Sequence, residues 1–200
     1  MKMRGLYAIT PEHADAATLV RRVAQALEGG IALLQYRRKA KQNIEEARTL
    51  ARMCRERAVP FIVNDGVDIA IEGGADGVHL GRDDGDLAAA RSKLSGRILG
   101  VSCYDSLAAA RTAAAAGANY VAFGSVFSSP TKPAAVRAPL GLFSDARSLG
   151  VPLVAIGGIT LHNAPQLLAA GADCLAVISD LFEAQDIAGM ARAYAKLFNP

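Results

Sequence analysis

Short apolar runs alternate along the whole chain with segments whose apolar residues recur at helical spacing. Residues 61–63 and 120–123 are continuous apolar runs, whereas residues 14–27 carry apolar side chains three and four positions apart. The first pattern is typical of buried strands and the second of amphipathic helices. Strict alternation of the two predicts a parallel sheet covered by helices.

Eight strand-then-helix units are predicted. The strands are residues 6–9, 31–36, 61–63, 78–80, 98–101, 120–123, 151–156 and 175–178. The helices are residues 14–27, 44–57, 67–72, 86–94, 106–116, 140–148, 163–170 and 187–198. Eight units predict a small single-domain (β/α)8 TIM barrel over residues 1–200. The competitor is a doubly wound sheet, but its G-x-G-x-x-G fingerprint is missing after the first strand.

Composition narrows the class of protein. The 200 residues are 52% apolar and carry a net charge of +3 that is spread along the helices, which does not favour nucleic-acid binding. Three separated cysteines without a CxxC motif favour a reducing cytoplasm and no zinc site. No apolar stretch approaches the ~20 residues of a membrane span, and the start lacks a signal-peptide pattern. A homodimer is left open.

Two aspartates follow neighbouring predicted strands. Asp65 comes just after the third strand and Asp84 soon after the fourth. Parallel strands end at the same edge, where barrel enzymes place their chemistry, so both carboxylates are expected on one rim. Two close carboxylates repel each other unless a cation lies between them, and oxygen ligands suit Mg²⁺. Asp83 competes for this role, and two solvated loop acids are the alternative.

Basic and hydroxyl side chains are predicted at the same rim. Gln35, Arg37 and Lys39 alternate along the end of the second strand and therefore share one face, which would need an anion as partner. A polar loop over residues 124–138 is unusually long for a compact barrel. It contains Ser129, Thr131 and Lys132, which are donors suited to phosphate.

The last two strands end in a pattern typical of phosphate sites. Gly157 and Gly158 allow backbone N–H groups to approach a ligand closely, and Ser179 follows the eighth strand. Ser102, after the fifth strand, is a neutral donor and acceptor. His79 is interpreted as a packed structural histidine, because no acid or nucleophile partner is evident in the sequence.

In this order and spacing, the motifs resemble the thiamine-phosphate synthase (thiamine-phosphate pyrophosphorylase) family over the whole chain. The matching pieces are Leu6-Tyr7-Ala8-Ile9-Thr10, Gln35-x-Arg37-x-Lys39, Val63-Asn64-Asp65, Gly77-Val78-His79-Leu80-Gly81-x-x-Asp84, Gly100-Val101-Ser102, Ser129-x-Thr131-Lys132, Ala155-Ile156-Gly157-Gly158-Ile159 and Ile178-Ser179.

The resemblance implies a reaction and a set of roles. A hydroxymethylpyrimidine diphosphate would condense with a hydroxyethylthiazole phosphate, with Mg²⁺ held by Asp65 and Asp84. The implied diphosphate ligands are Arg37, Lys39, Asn64 and Lys132. Gln35 and Ser102 would lie nearer the pyrimidine, and Lys39, Lys132 and Ser102 are the implied catalytic residues. The implied thiazole-phosphate ligands are Ser129, Thr131, a glycine of the Gly157–Gly158 pair, Ile178 and Ser179.

Several positions depart from the family pattern. Gly66 stands where relatives often carry Arg, Ser125 where they often carry Pro, and Ser129 where Thr is common. Cys103-Tyr104 replace the usual residues after Gly-Val-Ser. Asp180 replaces a small apolar residue and would add negative charge near a phosphate pocket.

Three rival functions remain. A related thiazole tautomerase would be expected to carry His at the position of Ser125. A non-catalytic phosphate-binding barrel and a phosphosugar enzyme of the same fold also remain as alternatives.

Overall fold

The computed structural model describes residues 3–12, 14–38, 42–81, 84–128 and 136–198. Its eight parallel strands form a closed barrel in chain order, with β8 paired back to β1, so the predicted fold class is confirmed. The strands are β1 Gly5–Ile9, β2 Leu33–Tyr36, β3 Phe61–Asn64, β4 Gly77–Leu80, β5 Ile98–Tyr104, β6 Tyr120–Phe123, β7 Leu153–Ile156 and β8 Cys174–Val177.

Helices follow the strands and cover the outside of the barrel. They are α1 Ala16–Glu28, α2 Ile44–Glu56, α3 Val67–Glu72, α4 Leu87–Lys93, α5 Leu107–Ala115, α6 Gly141–Asp145, α7 Ala164–Ala170, α8 Ser179–Phe182 and α9 Ile187–Lys196, with a 3₁₀ turn at Arg147–Leu149. Among the described residues, no helix is both long and apolar enough to cross a membrane.

Side-chain caps begin three of the helices at the predicted places. The Asn43 side chain accepts from the N–H groups of Glu45 and Glu46 at the start of α2. Asp86 and Ser106 do the same for α4 and α5. These caps satisfy amide groups that have no partner within the helix, so short polar residues define the helix starts.

Two hydrophobic layers divide the core. The larger layer lies between the helices and the sheet, and a smaller one fills the barrel interior with residues such as Leu33, Ile62 and Val154. Strand β2 shows the alternation that separates the layers, since Leu33 faces inward and Leu34 faces the helices. The same alternation directs Gln35 inward and Tyr36 outward.

The predicted bounds agree with the structure to within two residues except at three places. Strand β5 continues to Tyr104, past an irregular register with β6. The predicted sixth helix is instead α6 followed by the 3₁₀ turn, and Gly150 ends the segment with a left-handed backbone. Helix α8 was not predicted, since a single turn is too short to show helical periodicity.

Candidate active site

The two predicted metal ligands follow adjacent strands at the carboxyl end of the barrel. The Asp65 N–H donates to the His79 carbonyl at 2.8 Å, which continues the β3–β4 ladder past the strand end. Asp65 has a left-handed φ of 62°, an unfavourable conformation for a residue with a side chain. The Gly81 N–H donates to the Asp84 carboxylate at 2.6 Å. Both acids therefore lie on the same rim, as predicted.

Arg37 also lies at this rim. Its guanidinium donates to the Glu12 carboxylate at 3.1 Å, and its backbone N–H donates to Thr10 Oγ1 at 2.9 Å. Glu12 and Thr10 belong to the loop after β1, so the loops after β1 and β2 are tied together. The predicted site residues Lys39, Ser129, Thr131 and Lys132, and the competing acid Asp83, lie outside the described residues.

Arg38 is bonded to α2 and to the loop after β1. Its guanidinium donates two hydrogen bonds of 2.9 Å to the Glu46 carboxylate, which also accepts from Tyr36 at 2.7 Å. Burial raises the pKa of Glu46, but the bonds from Arg38 and Tyr36 outweigh it and leave the pKa below its usual value. The pair therefore anchors the start of α2 to the end of β2.

Glu46→Gln is expected to lower the free energy of unfolding by about 2 kcal/mol at neutral pH, because the largely buried Arg38 guanidinium then loses its anionic partner and keeps only the carbonyls of Glu12 and Ala14. The folded pKa of Glu46 is depressed, so its stabilisation is present above the unfolded pKa and is lost as pH falls through the folded value. The difference in free energy of unfolding between variant and parent should thus become smaller in acid. Urea unfolding at a series of pH values from 7 to 3 measures this difference. Glu45→Gln is the matched control, since its pair with Arg48 is exposed.

A chain of four hydrogen bonds crosses the barrel interior. Gln35 Nε2 donates to Tyr7 OH at 2.8 Å, and the Tyr7 and Tyr120 hydroxyls are 2.7 Å apart. Tyr120 OH lies 3.0 Å from His79 Nδ1, and His79 Nε2 lies 2.8 Å from Ser102 Oγ. The chain joins side chains of β2, β1, β6, β4 and β5. It connects two predicted site residues, Gln35 and Ser102, through three that were not assigned to the site.

Burial is the main influence on the ionisation of the side chains in this chain of hydrogen bonds. It lowers the pKa of His79 to about 4, an effect opposed by the negative charge of Asp84. Burial also raises the pKa values of Tyr7 and Tyr120 above their usual range. At neutral pH His79 is therefore uncharged and both tyrosines keep their hydrogens.

The sequence contained a signal for the two tyrosines. Tyr7 and Tyr120 lie within apolar strands, and a buried tyrosine hydroxyl usually has a hydrogen-bond partner. The strand alternation places both on the inner face with Gln35 and His79. What could not be derived was the register around the barrel that brings five side chains from five strands into line.

The loops after β6 and β7 lie directly against each other. The Val126 N–H donates to the Ile156 carbonyl and the Phe127 N–H to the Gly157 carbonyl, both at 3.0 Å. A Cβ atom on Gly157 would overlap the side chain of Ser125, and Gly157 also has a φ of 105°. The close approach and the backbone conformation therefore both require glycine at position 157.

Two contacts join the chain on either side of residues 129–135. The Ala138 N–H donates to the Ser125 carbonyl at 3.0 Å, and Arg137 donates to Ser128 Oγ. Gly158 adjoins the same loop, and its carbonyl accepts from Asn163 Nδ2 at 3.0 Å. Residues 125–128 and 137–138 therefore meet beside Gly157 and Gly158.

The partners of Asp180 lie away from β8. Asp180 is next to Ile178 and the exposed Ser179 in the chain. Its Oδ2 accepts from the Leu161 N–H at 3.0 Å and from Tyr194 OH at 2.7 Å. The carboxylate is therefore engaged by the loop after β7 and by α9.

Gly66 is explained by its neighbour Gln42. A Cβ atom at position 66 would overlap the Gln42 side-chain amide, whose nitrogen donates to the Asn64 carbonyl. Gln42 therefore occupies the space into which a larger residue at position 66 would extend. The Ser125 hydroxyl also has a partner within its own loop, because its Oγ donates to the Phe127 carbonyl at 2.6 Å.

The structure is a closed parallel (β/α)8 barrel that carries two carboxylates, an arginine and a double-glycine loop at the carboxyl ends of its strands. The family model described as thiamine monophosphate synthase matches residues 6–181. The chain belongs to this family.

Individual relatives support the same family assignment. A thiamine-phosphate synthase of Aromatoleum aromaticum is 58% identical, covering 99% of this chain and 98% of the relative. One of Azoarcus sp. is 55% identical, covering 98% of each. The solved thiamine phosphate pyrophosphorylase of Pyrococcus furiosus superposes with a TM-score of 0.85 at 35% identity, covering 99% of this chain and 96% of that one. A 3-hexulose-6-phosphate synthase with a TM-score of 0.72 is 16% identical and shares the fold alone.

Proposed function

We propose that this chain joins 4-amino-2-methyl-5-(diphosphooxymethyl)pyrimidine to 4-methyl-5-(2-phosphooxyethyl)thiazole, releasing pyrophosphate and forming thiamine phosphate. Family membership over nearly the full chain is the observation that carries the reaction. The chain is accordingly a transferase of thiamine biosynthesis. Its metal dependence, its dissociative step and the roles of its residues are our proposals.

The residues at the rim fit a hard divalent cation. Asp65 and Asp84 offer oxygen ligands on neighbouring loops, and oxygen is what Mg²⁺ takes. Among the described residues no group of three His, Cys, Asp or Glu side chains could hold a metal. Two protein carboxylates plus water and diphosphate oxygens are a common magnesium arrangement in phosphate-handling sites. When bound, Mg²⁺ would neutralise charge on the departing diphosphate.

The other rim residues act on the diphosphate and on the two rings. Arg37, Lys39, Asn64 and Lys132 bind the diphosphate and offset the negative charge that develops as it leaves. Charge stabilisation favours a dissociative displacement, in which the bond from the pyrimidine methylene to oxygen breaks first. The methylene cation is stabilised by conjugation with the amino-bearing ring, and the thiazole nitrogen then captures it.

Binding and exclusion of water complete the step. Gln35 and Ser102 hold the pyrimidine from opposite ends of the buried chain. The loops that carry Ser129, Thr131, the Gly157–Gly158 pair, Ile178 and Ser179 bind the thiazole phosphate. Substrates held in place need no protein nucleophile, because positioning makes the capture effectively unimolecular.

The tautomerase alternative is disfavoured by the loop after β6. That activity would be expected to use a histidine at position 125, whereas Ser125 donates its hydroxyl to the carbonyl of its own loop. A cytoplasmic location is part of the proposal. It is supported by three buried, unbridged thiols, Cys54, Cys103 and Cys174.

Purified protein mixed with both substrates should release pyrophosphate only while Mg²⁺ is present. EDTA should stop the release and excess Mg²⁺ should restore it. Thiamine phosphate, detected by chromatography, should form in equal amount. Turnover of a thiazole compound alone would favour the tautomerase, and release unaffected by EDTA would contradict the metal role.

A further inference from the structure

The buried chain of hydrogen bonds from Gln35 to Ser102 has a direction, meaning which group donates at each bond. Counting the available hydrogens gives this direction. A side-chain amide nitrogen only donates, and each tyrosine hydroxyl has one hydrogen to give. Because Gln35 Nε2 faces Tyr7 OH, the Tyr7 hydrogen is directed to Tyr120 OH. Tyr120 must then give its own hydrogen to His79 Nδ1.

The direction determines which histidine nitrogen carries hydrogen. A neutral imidazole has one donor and one acceptor nitrogen, so a histidine that accepts at Nδ1 donates at Nε2. His79 Nε2 faces Ser102 Oγ at 2.8 Å, so the serine oxygen accepts. In the described part of the chain, His79 is the side chain bonded to Ser102 Oγ, and the serine hydrogen is therefore available to another acceptor.

We propose that His79, held as its Nε2–H tautomer by Tyr120, is a positioning residue that makes Ser102 a hydrogen-bond donor toward the barrel mouth. This inference rests on the proposed function, in which Ser102 contacts the pyrimidine substrate. The acceptor is a ring nitrogen or a diphosphate oxygen, since both substrate groups carry lone pairs. The reversed chain would make Ser102 give its hydrogen to His79, and it could then only accept from a ligand.

Two observations support the forward direction. Gln35 Nε2 lies on Tyr7 OH and fixes the first donor, and the Tyr7, Tyr120 and His79 distances of 2.7 and 3.0 Å continue the chain without a gap to Nδ1. An acceptor-rich substrate is also matched by a donor at the mouth. A second acceptor beside a diphosphate would instead repel it.

Nitrogen-15 NMR of ligand-free protein labelled at histidine tests the tautomer directly. The chain has three histidines, and His79→Gln identifies the signals of position 79. We expect a protonated Nε2 and an unprotonated Nδ1 at neutral pH, read from their couplings to the ring hydrogens. A protonated Nδ1 would overturn the proposal. This readout needs no activity, so it fails or succeeds separately from the proposed function.

Two matched variants test the direction. Tyr7→Phe and Tyr120→Phe each remove one buried hydroxyl from the same chain. Tyr120→Phe removes the donor to His79 Nδ1 and should give a mixture of both tautomers. Tyr7→Phe keeps the Tyr120 hydroxyl but breaks its link to Gln35, so the Nε2–H tautomer should become less dominant, because Tyr120 can then also accept from His79. Circular dichroism confirms folding, and an unchanged tautomer in both variants would contradict the proposed direction.

The functional consequence is tested in kcat. A glutamine amide can replace the donor at Nε2, whereas leucine cannot. His79→Leu should lower kcat by about 10–100-fold, the range for residues that orient others, with little change in KM for the thiazole phosphate. His79→Gln should recover at least half of this loss on a logarithmic scale. Equal losses in both variants would show a packing role and refute the positioning role.

Discussion

Asp65→Asn should lower kcat/KM for the pyrimidine diphosphate by about 10³-fold, equivalent to about 4 kcal/mol of transition-state stabilisation. The substitution removes one charge from the proposed cation site while keeping the shape of the side chain. Asparagine is also the appropriate replacement for the backbone, because it tolerates the left-handed conformation that Asp65 adopts. Alanine at this position would add backbone strain to the loss of charge.

Initial rates of pyrophosphate release, measured over a range of Mg²⁺ concentrations, test this expectation. The variant should need more Mg²⁺ for half-maximal rate and should unfold within about 1 kcal/mol of the parent. Asp68→Asn is the matched control. Asp68 is exposed on α3, 3.5 Å from Lys93, and its replacement should leave the rate nearly unchanged. Near-normal activity of Asp65→Asn would remove Asp65 from the metal site.

The fold could be predicted because its signal is local and repeated. Alternating apolar runs and helical spacings indicate strands and helices, and eight such units favour a closed barrel. Helix starts were predicted well where a single side chain caps the backbone, as at Asn43. Helix α8 was missed because one turn carries no periodicity.

The candidate site was predictable where function follows from position along a strand. Residues directly after strand ends, such as Asp65 and Arg37, lie at one rim whatever the details of packing. The links between strands were not predictable. The contact between His79 and Ser102 depends on barrel closure and register, which no short stretch of sequence encodes. The partners of Asp180 were not predictable for the same reason, since they come from a loop and a helix elsewhere in the chain.

Gly157→Ala should both destabilise the protein and weaken binding of the thiazole phosphate. A side chain at a φ of 105° is strained by about 1–3 kcal/mol, and its Cβ would also overlap Ser125. A loss of this size should lower Tm by about 2–12 °C for a chain of this length. The contact between the loops after β6 and β7 would also open. KM for the thiazole phosphate should therefore rise by about tenfold or more, which corresponds to a binding free energy weaker by at least about 1.4 kcal/mol.

Calorimetry and steady-state kinetics with a varied thiazole substrate separate these effects. Gly141→Ala is the matched control, since α6 begins at this glycine and a Cβ there meets nothing within 4 Å. It should preserve both KM values and raise Tm slightly, because alanine suits a helix better than glycine. If Gly157→Ala lowered Tm but left KM for the thiazole phosphate unchanged, the double-glycine loop would be needed for folding alone. The phosphate would then be held by the loops after β6 and β8.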